Sequence, residues 1–242
     1  MSDQAVSARG RVGALVRSYG TGFKLAETPI SEGGIWINGK KDGIDWADVV
    51  TENGVAHGGE TKMAVAERRA EQGVGGATIA PGEMPEGDYD DPTALLAGPW
   101  GRNQHAKGTV FSRNQTEEYF QEVELRLRST LGPHSCTGYE VFWRCLKTAN
   151  AYAEIVRWND RIQDFTSLAR KTGPECGVKN GDVVEATIVG NVIRSFINGV
   201  EVLSATDDVY ASGNPGIGFN FGCGNTYVDH GFSSYEVETF DD

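Results

Sequence analysis

Within "YFQEVELRLR" (119 to 128), Glu122 and Glu124 fall two residues apart, so on an extended strand both carboxylates point the same way. Paired carboxylates a few ångströms apart can divide the work of nucleophile and general acid in glycoside hydrolysis. The next residue in phase is Arg126, and Arg128 follows it. Glu and Arg alternating along one strand more often make an exposed ladder of ion pairs, and that is the reading adopted for this segment. Further acids on similar strands, Glu140 in "GYEVFWRCLK" and Glu154 in "AYAEIVRWND", complete the set of residues that would carry catalysis if the chain is an enzyme.

A second chemistry asks for less. Recognition of a sugar needs an aromatic plate and a few planar polar groups, and Tyr152 and Trp158 lie in phase with Glu154 on one strand. With Arg126, Arg128 and Arg144 they form the candidate glycan-binding set. The plainer alternative packs both aromatics into the core or under a loop. His105, in "WGRNQHAKG" near Arg102 and Gln104, is the one histidine in polar company, and an exposed loop histidine accounts for it. His57, His134 and His230 sit beside Gly or Pro in expected turns and are assigned nothing. Nucleotide loops, nucleophile elbows and the H-E-x-x-H zinc motif are absent.

Four cysteines, Cys136, Cys145, Cys176 and Cys223, show no C-x-x-C spacing. The loop settings of Cys176 ("PECGV") and Cys223 ("FGCGN") make them the disulfide candidate, whereas Cys145, in phase with Val141 and Trp143, reads equally well as a buried free thiol.

The elements that must position these residues are strands. Tyr119, Gln121, Val123, Leu125 and Leu127 share the face opposite the charges, the period of two expected of a half-buried strand. Similar runs follow through "GDVVEATIVG", "NVIRSFING", "VEVLSATD", "GIGFNFG" and "FSSYEVETF", separated by turn signals such as "KNGD", "GN" and "NG". The Asn198-Gly199 pair predicts a type I′ hairpin turn. Many short strands with regular turns and a single helix candidate indicate an all-β antiparallel sandwich. Short strands are also expected around Trp36 and Trp46, and the glycine content is ascribed to turns.

Residues 1 to 30 form a weakly basic arm, with Arg9, Arg11, Arg17 and Lys24 against Asp3. Such an arm frays unless tied down, and a neighbouring subunit, in a homo-oligomer or larger assembly, is one candidate tie. Residues 59 to 88 break the strand pattern with one short helical stretch and a Pro/Gly-rich loop, an insertion in a single domain spanning 31 to 242. The net charge of −12 argues against nucleic acid or an anionic membrane as the main partner. No apolar run is long enough to cross a bilayer, and the N-terminal stretch lacks the hydrophobic core of a secretion signal, so extracellular, virion and cytoplasmic settings stay open.

The order "AEIVRWNDRIQDFTSLA", "NGDVVEATIVGNVIRSFINGVEVLSATD", "SGNPGIGFNF" resembles the concanavalin A-like lectin/glucanase superfamily, including its laminin G-like and polysaccharide-active jelly rolls. The likeness covers roughly residues 30 to 240 and is strongest over 119 to 222, with "EGGIWIN" as the first strand, paired near the C-terminal one. It implies two antiparallel sheets, one bowed, whose concave face often receives a glycan. Hydrolases of this superfamily place an Asp between two Glu at i, i+2 and i+4; here Arg126 stands where the last acid would be. "VELRLR" echoes one strand of the alginate lyases, whose Gln-x-His and Lys-x-Gly-x-Tyr strands are missing. A structural calcium ion is also implied as an option, with oxygen ligands available at Glu32, Asp88, Asp90, Asp91 and Asp229, but no spacing resembles an EF-hand loop and no metal site is assigned. The expectation is a non-catalytic recognition or assembly module, extracellular or on a virion, contacting glycan or protein subunits. The alternative is a polysaccharide lyase or glycoside hydrolase of the same fold.

Overall fold

Alternating apolar and polar residues leave each strand with one side that must leave water, and the chain buries those sides by stacking two antiparallel sheets. The computed structural model describes residues 14 to 39, 46 to 59, 91 to 132, 134 to 222 and 227 to 240. The insertion expected at 59 to 88 lies almost wholly outside them, as do Cys223, Asp88 and Asp90.

The first sheet contains β1 (Leu15–Thr21), β3 (Val49–Glu52), β4 (Val55–Gly58), β6 (Asn103–Ser112), β11 (Val183–Val189), β12 (Val192–Ile197), β13 (Val200–Thr206) and β15 (His230–Phe240). Their order is β13-β12-β11-β6-β15-β4-β3, with β1 added beside β15. The second contains β2 (Trp36–Asn38), β5 (Thr93–Leu96), β7 (Phe120–Gly132), β8 (Ser135–Arg144), β9 (Tyr152–Trp158), β10 (Phe165–Thr172) and β14 (Asn214–Gly222), in the order β10-β9-β8-β7-β14-β5-β2. The regular element that is not a strand is one 3-10 turn at Pro174–Cys176 among the described residues.

Between the sheets lies one apolar core. Val123, Leu125 and Leu127 of β7, Tyr139, Val141 and Trp143 of β8, and Ile217 and Phe219 of β14 meet Val184, Ala186 and Ile188 of β11, with Phe232, Tyr235 and Val237 of β15. The expected alternation along β7 is therefore real. Its hairpin chemistry holds too: Asn198 and Gly199 have φ of 50° and 80°, the pair of positive values that a type I′ turn requires. Asn53-Gly54 does the same between β3 and β4.

In the N-terminal region the tie that the arm needs is found within the chain, and one expectation is corrected. From Leu15 the arm is not free: β1 pairs with β15 of its own chain, from Leu15 opposite Phe240 to Thr21 opposite Tyr235. Glu32 fastens it, accepting hydrogen bonds from the Tyr19 hydroxyl, from Thr21 Oγ1 at 2.5 Å and from Trp36 Nε1 at 2.9 Å. The strand of "EGGIWIN", β2, pairs with β5 instead of the C-terminal strand.

Candidate functional site: a charged sheet face

The face of the second sheet that points away from the core collects most of the residues nominated from sequence. Strand register does this. Across β7 and β8, Glu122 lies opposite Arg144, Glu124 opposite Phe142 and Arg126 opposite Glu140. Phe142 in turn faces Glu154 on β9, and Glu154 faces Arg170 on β10. On the other side of β7, Gly218 and Gly216 of β14 stand opposite Glu124 and Arg126.

Arg126 is the centre of the face. Its Nη2 donates to Asp91 Oδ1 at 3.1 Å, Thr93 Oγ1 at 3.0 Å and Glu124 Oε2 at 2.9 Å, while Nη1 pairs with Glu140 Oε2 at 2.6 Å. The guanidinium is fully buried, lying 5.3 Å and 5.6 Å from the ring centroids of Trp46 and Trp158. Those rings meet edge to face at 4.6 Å, and Trp158 Nε1 donates to Glu140. Space for the cage comes from Gly218, where a Cβ would stand 2.3 Å from Glu124 Oε2 and 3.1 Å from Arg126 Nε. This glycine is needed for close approach and not for a turn.

Charge accounting explains how such a cage can exist. Burial pushes Asp91 up to about 7, Glu122 up to about 8, and Glu124 and Glu140 upward as well, while Arg126 opposes the shift at its three partners. For Arg126 burial works to lower the pKa, but the ring of carboxylates overcomes it and holds the guanidinium firmly charged. Some of the acids therefore hold protons near neutrality and act as hydrogen-bond donors.

Asp91, Glu124 and Glu140 place oxygens within 4.8 Å of one another, a spacing that could hold a metal ion. The guanidinium of Arg126 already bridges all three, so the position a cation would neutralise is occupied by a side chain. Of the other carboxylates considered for calcium, Glu32 is taken up by Tyr19, Thr21 and Trp36, and Asp229 by Asn114 and Arg113.

Toward the β10 edge the face opens. The Tyr152 hydroxyl donates to Glu122 Oε1 at 2.5 Å, and its ring lies 3.8 Å from the Arg170 guanidinium carbon and 5.9 Å from that of Arg144. Glu154 accepts from Ser167 Oγ at 2.5 Å and pairs with Arg170, whose side chain is 46 % exposed.

The expected exposed ladder at Glu122, Glu124 and Arg126 is thus replaced by a buried cage, because Asp91, Thr93, Trp46 and Gly218 arrive from elsewhere in the chain to satisfy it. Trp158 and Tyr152 are buried and committed to Glu140 and Glu122, so neither is an open plate for a sugar. Arg128 leaves the face altogether. A register shift between Leu127 and Thr130, with φ of 46° at Arg128, turns its side chain to the carbonyls of Arg102, Tyr210 and Gly190, at 2.7, 3.1 and 2.8 Å.

His105 is on strand β6, not in a loop, and pairs at 2.9 Å with Glu185 of the neighbouring strand β11, both in the first sheet and not in the one that carries the cage. His57 and His230 likewise belong to strands β4 and β15 instead of turns. Cys145 is a buried free thiol, and Cys176 is buried and free in the 3-10 turn. Sequence reasoning missed Arg170, Trp46 and Thr93 as members of the face, and knew Asp91 only as an unassigned oxygen ligand.

No known family pattern matches the chain, and no curated protein does. Solved structures do. A carbohydrate-binding module, CBM66 from Bacillus subtilis, matches with TM-score 0.50 and 11 % identity over 88 % of this chain and 96 % of that one. The κ-carrageenase of Pseudoalteromonas carrageenovora, solved with an oligosaccharide of κ-carrageenan, matches with TM-score 0.52 and 8 % identity over 99 % of both chains. The CBM2 module of the evolved Dit protein of Lactobacillus casei BL23 phage J-1 gives TM-score 0.50 and 11 % identity over 91 % of this chain and 94 % of that one. Identities this low report on fold and not on activity. The two stacked antiparallel sheets and these likenesses together show that the chain has the concanavalin A-like lectin/glucanase fold, a jelly roll shared by carbohydrate-binding modules and by a carrageenase.

Proposed function

We propose that the protein is a non-catalytic glycan-recognition module. The observation that carries this reading is Arg126. It stands where a third acid would complete a hydrolase strand, and it ties up Glu124 and Glu140 in ion pairs. A nucleophile or general acid must reach its substrate, yet Glu124 is 1 % exposed and Glu122 is committed to Tyr152. Binding needs only the partly open strip near Arg144, Tyr152 and Arg170. The carbohydrate-binding modules among its structural neighbours, one of them from a phage Dit protein, favour an extracellular or virion setting. Among the described residues no helix is long and apolar enough to cross a membrane. With β1 held inside its own sheet, an arm that bridges subunits is not the basis of the proposal.

The competing reading, a lyase or hydrolase, keeps one observation: Glu122 and Glu124 occupy the first two positions of the hydrolase strand pattern, and Glu122 carries a raised pKa. Among the described residues, structural calcium has only the Asp91, Glu124 and Glu140 grouping behind it, which Arg126 fills. The experiment is to incubate the full chain with neutral and anionic polysaccharides, measuring retention by affinity electrophoresis and release of reducing or unsaturated ends. Retention without release is expected. Release that Glu122→Gln abolishes would replace the binding reading with the enzymatic one.

A further inference from the structure

Arginines on folded proteins usually end on a carboxylate or a set of carbonyls, and four on the second sheet do so: Arg126 in its cage, Arg128 on three carbonyls, Arg157 on Asp207 at 2.5 Å, and Arg170 on Glu154. Arg144 does not. Among the described residues it forms no ion pair, its one hydrogen bond is a long 3.4 Å contact to the Glu117 carbonyl, and its Nε is buried without a partner. Glu122, directly opposite across the strand ladder, gives its oxygen to Tyr152. The Glu117 carboxylate, near enough to feel the charge of Arg144, accepts from Thr148 and Asn150 at 2.6 and 2.8 Å and forms no ion pair with it. What holds Arg144 in place is stacking: its guanidinium carbon is 5.6 Å from the Phe120 centroid and 5.9 Å from that of Tyr152.

The solvent-facing end of this guanidinium, with one long bond to a carbonyl, keeps N–H donors for the acceptor oxygens of a ligand. Arg170 sits over the same Tyr152 ring at 3.8 Å with nearly half its side chain exposed. Two cations thus flank one aromatic on the outer face of the sheet, in a protein whose net charge is −12. Forked guanidiniums match the paired oxygens of a carboxylate or sulfate.

We propose that Arg144, Tyr152 and Arg170 form a subsite for an anionic sugar, one carrying a carboxylate or a sulfate group. The inference rests on the glycan-binding reading above and gives that site its ligand class. Arg144 supplies the free charge, Phe120 and Tyr152 orient it, and Arg170, restrained by Glu154, closes the other side. General attraction between protein and polyanion is excluded by the chain's own negative charge, so retention of a polyanion requires a local basic site.

The test uses the full chain and three soluble probes: polygalacturonate for carboxylate, carrageenan for sulfate, and laminarin as a neutral glucan. One or both anionic polymers should bind more tightly than laminarin, and binding should weaken as salt is raised. Which anionic probe is preferred identifies the group recognised. Arg144→Gln and, independently, Arg170→Gln should each weaken anionic binding about tenfold, the scale of one charge-assisted hydrogen bond, and Arg144→Gln, which breaks no ion pair, should do so without lowering the melting temperature. Arg144→Lys should recover part of the loss. Equal binding of laminarin and the anionic probes, or anionic binding unchanged in both glutamine variants, overturns the subsite while leaving glycan recognition standing. Failure to retain any of the three, together with a neutral and anionic panel on which nothing binds, removes both readings.

Discussion

The two faces of β7 are both closed to water, by different physics. On the inner face Val123, Leu125 and Leu127 meet the opposite sheet, and the gain grows with apolar area and is indifferent to pH. On the outer face Glu122, Glu124 and Arg126 are equally buried, and there the desolvation of each charge must be offset by a partner of opposite sign or by a proton. The inner face tolerates substitution by anything apolar of similar size. The outer face is a closed set, in which each carboxylate is tolerable because Arg126 is present, and Arg126 because of them. A strand with two such faces divides the fold's stability into a part set by packing and a part set by solution conditions.

The sharpest way to break this contrast is to remove the hub. Arg126→Leu leaves Asp91, Glu124 and Glu140 converged without a counter-charge, and the expected loss is about 3 to 5 kcal/mol in urea unfolding at pH 7.5. Leu125→Ala, its neighbour on the inner face, should cost about 2 to 5 kcal/mol. The two variants can be equally damaging at one pH and still differ in kind. At pH 5 the stranded carboxylates take up protons more readily, so the deficit of Arg126→Leu should shrink while that of Leu125→Ala stays level. Parallel deficits at both pH values would show that the cage is held by packing. A smaller effect is expected at Gly218→Ala, whose Cβ would stand 2.3 Å from Glu124 Oε2, an atom fixed by its ion pair. Overpacking of this sort should cost about 1 to 3 kcal/mol, and an unchanged melting temperature would mean the cage is looser than its geometry indicates.

The same contrast explains what could be read from the amino-acid order. Alternation told which side chains of β7 share a face, and the Asn-Gly pairs told where the hairpins turn, because both are local consequences of backbone geometry. Alternation does not tell what covers a face. A charged row defaults to solvent, and only partners remote in sequence reverse that: Asp91 lies 35 residues before Arg126, and Trp46 comes from earlier still. Gly218 reads as a turn residue when its neighbours on β7 are unknown. Arg128 fails for a different reason. The irregularity that swings it away is carried by a positive φ at an ordinary residue, with no Gly or Pro beside it as a signal. In the N-terminal arm, Leu15 to Thr21 carries too weak an alternation to reveal that β15 had an edge to receive it.

The mildest test concerns Glu122, held in its acid form beside Tyr152. Burial, opposed by the Tyr152 hydrogen bond, raises this carboxyl from 4.5 to about 8. A folded-state pKa above the unfolded one means that the native protein binds a proton which the unfolded chain releases. The resulting stabilisation is complete below pH 4.5, declines as pH rises through the interval, and is gone above about 8. Asp91, raised to about 7, acts in the same direction over a slightly lower range. Unfolding free energy should therefore fall with pH across this window, with Glu122 contributing a slope on the order of 1 kcal/mol per pH unit. Glu122→Gln keeps an oxygen for the Tyr152 hydroxyl but has no proton to lose. It should flatten the profile between pH 5 and 8 and exceed the parent protein in stability at the alkaline end, as read by denaturant titrations at half-unit steps. A variant that tracks the parent slope would mean that Glu122 is ionised in the fold, and that Arg144 or Arg170 holds it so. If Arg144 is the one, it has an internal partner, and the free charge on which the anionic subsite depends is gone.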